Sequence, residues 1–89
     1  MSRWFDKQLN VIKGLISEAQ LKLEEAKDEL EAIKDEQEEK LDNMPESLQD
    51  SERYQRMEER RDAFEEQCDE LENKIDELTD IMETLSEVE

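Results

Sequence analysis

Residues 5–37, FDKQLNVIKGLISEAQLKLEEAKDELEAIKDEQ, decide the fold. Their apolar residues step by four and three without a break: Phe5, Leu9, Ile12, Ile16, Ala19, Leu23, Ala26, Leu30 and Ile33, with Gln37 next in line. A period of 3.5 residues held over several heptads, with Glu and Lys on its flanks, is the seam of a coiled coil, because it keeps one stripe of a helix turned toward a partner helix. A second run repeats the pattern through Tyr54, Met57, Arg61, Phe64, Cys68, Leu71, Ile75, Leu78, Met82 and Leu85.

The period fails only between Asp42 and Ser51, around the single proline of the chain, Pro45. Proline suits a first helical turn and not a helix interior, so Pro45 to Gln49 reads as one short turn, with Ser51 capping the next helix. The chain is therefore expected to be all-α and a single domain over residues 1–89, with helices at about 5–42 and about 52–87 and a turn at about 43–51. Two runs of nearly equal length with a short connection fold back as an antiparallel coiled-coil hairpin, a rod of about 55 Å at 1.5 Å per residue. Side-chain volumes favour a register in which Ala26 faces Ile75, Ala19 faces Met82, Leu30 faces Leu71 and Leu23 faces Leu78, over one that sets Ala26 against Cys68. Gln37 and Arg61 are the polar residues of the two seams, and single polar core positions commonly fix register.

Composition bounds the rest. Of 89 residues, 46% are charged and 34% apolar, too little hydrocarbon for an ordinary globular core, while the strict register of the apolar residues argues against disorder. No apolar stretch is long enough for a membrane span or a signal peptide, and the lone cysteine, Cys68, excludes an intramolecular disulfide, so a cytoplasmic protein is expected. A net charge of −17 disfavours direct contact with nucleic acid or an anionic membrane and makes basic proteins the natural partners.

The open end of the hairpin carries more apolar residues than two seams need. Trp4, Val11 and Leu15 lie beside the first seam and Ile81 and Val88 beside the second, on what the heptad assigns to one flank. Burial of this flank against a second copy, giving a homodimer built as a four-helix bundle, is the expected use; a site for another protein is the alternative. Gly14, close by, fits either a close backbone approach or simple tolerance.

Acid is concentrated from Asp62 onward, where Lys74 is the only basic residue. Glu65, Asp69, Glu72, Asp76 and Glu83 form an array that suits a mimic of nucleic-acid phosphates and, more commonly, the solubilising charge of an acidic coiled coil. Arg53, Arg56, Arg60 and Arg61 cluster near the turn and are expected to pair with Glu36, Glu38, Glu39 and Asp42. Catalysis is not expected: there is no His, no glycine-rich loop, no cysteine cluster and no Ca²⁺ loop, and carboxylates on a two-helix rod lack a pocket to tune them. No cofactor is expected, and Cys68 on the seam reads as a small buried hydrophobe.

The turn, Asp42-Asn43-Met44-Pro45-Glu46-Ser47-Leu48-Gln49 followed by Ser51-Glu52-Arg53, resembles a segment of small acidic helical proteins of bacteriophages and prophages. The resemblance covers the turn and the start of the second helix, and the flanking helices by composition only. Many of those proteins have Gly where this chain has Tyr54. They are of unassigned function, so the resemblance implies an origin and an architecture but no site. A non-enzymatic protein of that origin, this small and this acidic, is expected to be an inhibitor or adaptor acting on a protein of the bacterial host, with CRISPR and other nucleic-acid-handling defence effectors among the targets; a structural or assembly coiled coil is a further alternative.

Overall fold

The computed structural model describes residues 3–88, with side chains from Phe5 onward, so the Trp4 side chain of the expected flank lies outside the described residues. Two helices, α1 over Arg3–Asp42 and α2 over Glu52–Glu87, fold back on each other through a turn containing a single 3-10 helix at Glu46–Leu48. The rod measures 70 × 15 × 14 Å. It exceeds the expected length because α1 runs for 40 residues and the turn projects beyond both helices.

Backbone bonds close the turn without glycine. Asn43 N–H closes the last α-type bond onto the Glu39 carbonyl at 3.1 Å, and Met44 N–H tightens onto Leu41 at 3.2 Å. Pro45 is extended, at φ −58° and ψ 143°, and breaks the helix; its carbonyl then accepts from Leu48 N–H at 2.9 Å to open the 3-10 turn. The Ser51 hydroxyl donates to the Leu48 carbonyl at 2.6 Å and accepts from Tyr54 N–H at 3.2 Å, capping α2. Tyr54 is thus an ordinary residue of the first helical turn, and no described residue has positive φ, so nothing at this position requires glycine.

The register differs from the expected one. Gln20 donates from its side-chain amide to the Ile75 carbonyl at 3.1 Å and to the Thr79 hydroxyl at 2.8 Å. Lys27 bonds the Glu72 carboxylate, and the Cys68 thiol lies 4.0 Å from the Lys27 carbonyl. Gln20 therefore sits at the level of Ile75–Thr79 and Lys27 at that of Cys68–Glu72, which sets Leu23 opposite Ile75, Leu30 opposite Cys68 and Gln37 opposite Arg61. The expected pairing of Ala26 with Ile75 is displaced by about one helical turn.

Half of the α1 seam is also corrected. The row Leu9, Ile16, Leu23, Leu30 and Gln37 faces α2, with Leu9 buried and the others partly buried. The second row in the interface is Lys13, Gln20, Lys27, Lys34 and Leu41, and the expected row is left outside: Ile12 and Ile33 are each 45% exposed, Phe5 is 40% exposed, and Ala19 and Ala26 are exposed. Two physical reasons favour this. In mid-rod the long stems of Gln20 and Lys27 cover more of α2 than the methyls of Ala19 and Ala26 could, while their heads reach Thr79 and Glu72. Near the turn the chosen row ends in Leu41, 2% exposed, where the other row would put Lys40. The α2 seam is as the period reads, with Met57 and Cys68 its most buried members.

Truncating Leu41 to Ala should cost ~2–5 kcal/mol, and truncating Leu21, 60% exposed, should change stability by ~0.5 kcal/mol or less, measured by urea unfolding followed by circular dichroism. A Cβ placed on Gly14 meets nothing within 4 Å, so Gly14→Ala should raise stability by about 1 kcal/mol in the same assay.

Candidate functional site

The two flanks of the seam differ in chemistry. On one side lie the polar row of α1 and, next to it, Asn10, Ser17, Glu24, Glu31 and Glu38; α2 contributes Glu58, Glu65, Glu72, Thr79 and Ser86. The Lys27–Glu72 pair and the Gln20–Thr79 bond both lie on this side, which places the two flanking rows together. It is the acidic side.

The other side is built from the leucine row of α1 with Phe5, Ile12, Ala19, Ala26, Ile33 and Lys40 beside it. Facing these on α2 are Phe64, Leu71, Leu78 and Leu85, with Arg53, Arg60, Gln67, Lys74, Ile81 and Val88 on the flank. Gln37, Lys40, Arg53, Arg56, Met57 and Arg60 line one groove of about 380 Å³ there, which confirms that the Lys40 row and the Arg60 row share a side. In a chain with 29 acidic residues, none of these rows contains one. This side, acid-free in its own rows, is apolar toward the open end and cationic toward the turn; from the rows next to it Glu36 pairs with Lys40 and Glu77 with Lys74, and Glu36 and Glu39 line a groove with Lys40 and Arg53.

The residues expected to form one apolar patch are parted. Ile81 and Val88, 46% and 51% exposed, flank the acid-free side. Val11, 57% exposed, falls roughly 180° from the centre of the α1 seam at 100° per residue, on the back of the helix, and Leu15, 61% exposed, lies between that back and the acid-free side. The residues that stand beside Ile81 and Val88 are Ile12 and its row, which sequence reasoning put inside the seam. Leu41 was the missed signal: followed one heptad further, the polar row ends in a leucine and the apolar row in a lysine.

All five carboxylates of the expected acidic array, Glu65, Asp69, Glu72, Asp76 and Glu83, are exposed. Glu72 is engaged by Lys27, and that bond is the main reason the Lys27 ammonium is held above its usual pKa, against the opposing pull of partial burial. For Lys34 partial burial is the largest influence and lowers the pKa, but Asp35, Glu38 and Glu65 together outweigh it and the net shift is upward. The acidic side thus carries its own lysines as counter-charges inside the seam.

Gln37 and Arg61 are both half-buried at the same level of the rod. The Arg61 guanidinium turns to Asp62 on its own helix, at 3.0 Å, which raises its pKa. The other three arginines do not pair as expected: among the described residues Arg53, Arg56 and Arg60 have no carboxylate within 4 Å, and Glu36 instead pairs with Lys40 at 3.4 Å. Among the described residues no three His, Cys, Asp or Glu side chains are placed to hold a metal ion, and no helix is long and apolar enough to cross a membrane. No protein-family model, curated protein or solved structure matches the chain.

Cys68 is 6% exposed, and burial, followed by the nearby Glu31, pushes its thiol pKa up. A raised pKa leaves less thiolate at any given pH, and burial blocks reagents as well. At pH 8 Cys68 should react with a disulfide reagent at least ~10-fold more slowly in the folded hairpin than in urea, and equal rates would mean that the seam opens at this level.

Proposed function

We propose that this chain is a non-catalytic binding module of two working sides: the acid-free side assembles it, and the acidic side meets a basic surface on a partner protein. One observation carries the reading, the separation of charge about the seam. Solubility needs carboxylates only somewhere on the surface, and a chain using charge for solubility alone has no reason to keep four adjacent rows about the seam free of them. Ile12 and Ile33, half exposed at the seam's own period, support assembly through that side. Glu24, Glu31, Glu38, Glu58 and Glu65, whose rows hold no cation and which outnumber the Lys27 and Lys34 ammoniums near them, support a basic partner.

The finer form of this reading is a phage-encoded inhibitor or adaptor acting on a protein in the host cytoplasm, supported by the likeness of the turn at Asp42–Arg53 to phage proteins and by size and charge. A second reading, a nucleic-acid mimic that blocks the channel of a defence effector, is favoured by the succession of exposed carboxylates Glu65, Asp69 and Asp76 along one helix. It differs from the first in its target, which must also bind nucleic acid.

A photo-crosslinking residue in place of Glu65 or Asp76, introduced in a producing bacterial cell, should give an adduct with another protein that disappears when the other two of Glu65, Asp69 and Asp76 are changed to Lys. This substitution spares the Lys27–Glu72 pair that supports the hairpin. Absence of any salt-sensitive adduct from either position, with the chain helical and abundant, sinks the partner reading. If an adduct forms, displacement of the chain from its partner by an oligonucleotide selects the mimic, and indifference to oligonucleotides excludes it.

A further inference from the structure

Resting on the reading that the acid-free side assembles, we infer that its occupant is a second copy of this chain, stacked with the rods antiparallel about a two-fold axis that lies between the copies, at the level of α1 between Lys22 and Leu23. The exposed row of α1 carries the first argument. Ile12, Ala19, Ala26 and Ile33 read the same in both directions, and the middle of that series is the middle of α1, Arg3–Asp42. A two-fold antiparallel pairing sets each position against its mirror image, so Ile12 meets Ile33 of the second copy and Ala19 meets Ala26. The alanines let the helix axes approach in mid-rod, bringing the half-buried Leu23 and Leu30 of each copy into a common core.

Area and charge give the second and third arguments. A side of 70 by 15 Å offers on the order of 1,000 Å² per copy, comparable with the roughly 800 Å² per partner of stable interfaces. Full overlap is needed to use it, and overlap with the rods parallel would bring the Arg53, Arg56 and Arg60 clusters of both copies together. The antiparallel arrangement holds these clusters at opposite ends of the rod. It also turns both acidic sides outward, farther apart than the ~8 Å over which charges act at physiological salt. A four-helix bundle results, its core made of the leucine rows that a single hairpin leaves half exposed.

The experiment uses the full chain with Cys68→Ser to remove the native thiol. Light scattering should give twice the 10.7 kDa of the chain, and Ile12→Glu should return it to 10.7 kDa with its helicity kept, while Val11→Glu, on the back of α1, stays dimeric. In the same background Ala19→Cys together with Ala26→Cys should form a disulfide-linked dimer under mild oxidation. Ala19→Cys alone should not, because it lies about 10 Å along the rod from its own image, beyond the reach of a disulfide. A dimer that the paired cysteines do not link, or that Ala19→Cys links alone, overturns the antiparallel register. A monomer at every concentration overturns the second copy as occupant, and leaves the partner reading of the acidic side to the crosslinks at Glu65 and Asp76.

Discussion

The rest of the structure depends on which row of α1 accompanies its leucines into the seam. A helix offers two candidates, one on each side of Leu9, Ile16, Leu23 and Leu30, and the choice rotates the whole helix by roughly 50°. The row taken has long polar stems and ends in Leu41; the row refused is apolar but short in the middle, where Ala19 and Ala26 would leave α2 poorly covered. Coverage by methylene stems, with the heads held by Glu72 and Thr79, outweighs what the two isoleucines of the refused row would add. That rotation then determines what the surface looks like.

The hairpin itself was legible because it rests on signals that survive either choice of row. The 3.5-residue period in two runs, the gap around Pro45 and the near absence of glycine specify two helices folded back on each other whichever flank is inside. The Ser51 cap follows from side-chain chemistry local to the turn. The rotation of α1 was not legible from periodicity, because Phe5-Ile12-Ala19-Ala26-Ile33 and the polar row next to it share the same period. Hydrophobicity favours the first; only the volumes in mid-rod and the identities of Leu41 and Lys40 at the end favour the second. Taking the apolar row as core also gives the wrong register, since the match of small to large residues rests on Ala19 and Ala26, which do not face α2.

The candidate surfaces were legible to the same extent. The acidic run of α2 needs no structure to be seen, but its complement does: that no carboxylate stands in the leucine rows or beside them emerges only when the flanking rows of two helices are laid side by side. The arginines show the reverse error. The fold-back suggested pairing with Glu36, Glu38, Glu39 and Asp42, and it does bring Arg53 to a groove that Glu36 and Glu39 also line, but Glu36 is taken by Lys40 and Glu38 lies on the acidic side, so proximity does not become a salt bridge.

This separation bears on how assembly and partner binding relate. Two functions that use one surface compete; two that use opposite sides of a rod 14 to 15 Å thick can proceed together. The residues that connect the sides are those of the seam, and Lys27 is the clearest case, since its stem packs between the helices while its ammonium neutralises Glu72. A basic partner drawing on Glu72 would compete with Lys27 for that carboxylate and loosen the hairpin there, whereas one that uses Glu65, Asp69 and Asp76 leaves the pair intact. A partner can therefore engage the acidic side without drawing on the Lys27–Glu72 bond through Glu65, Asp69 and Asp76, which lie along α2 on either side of Glu72.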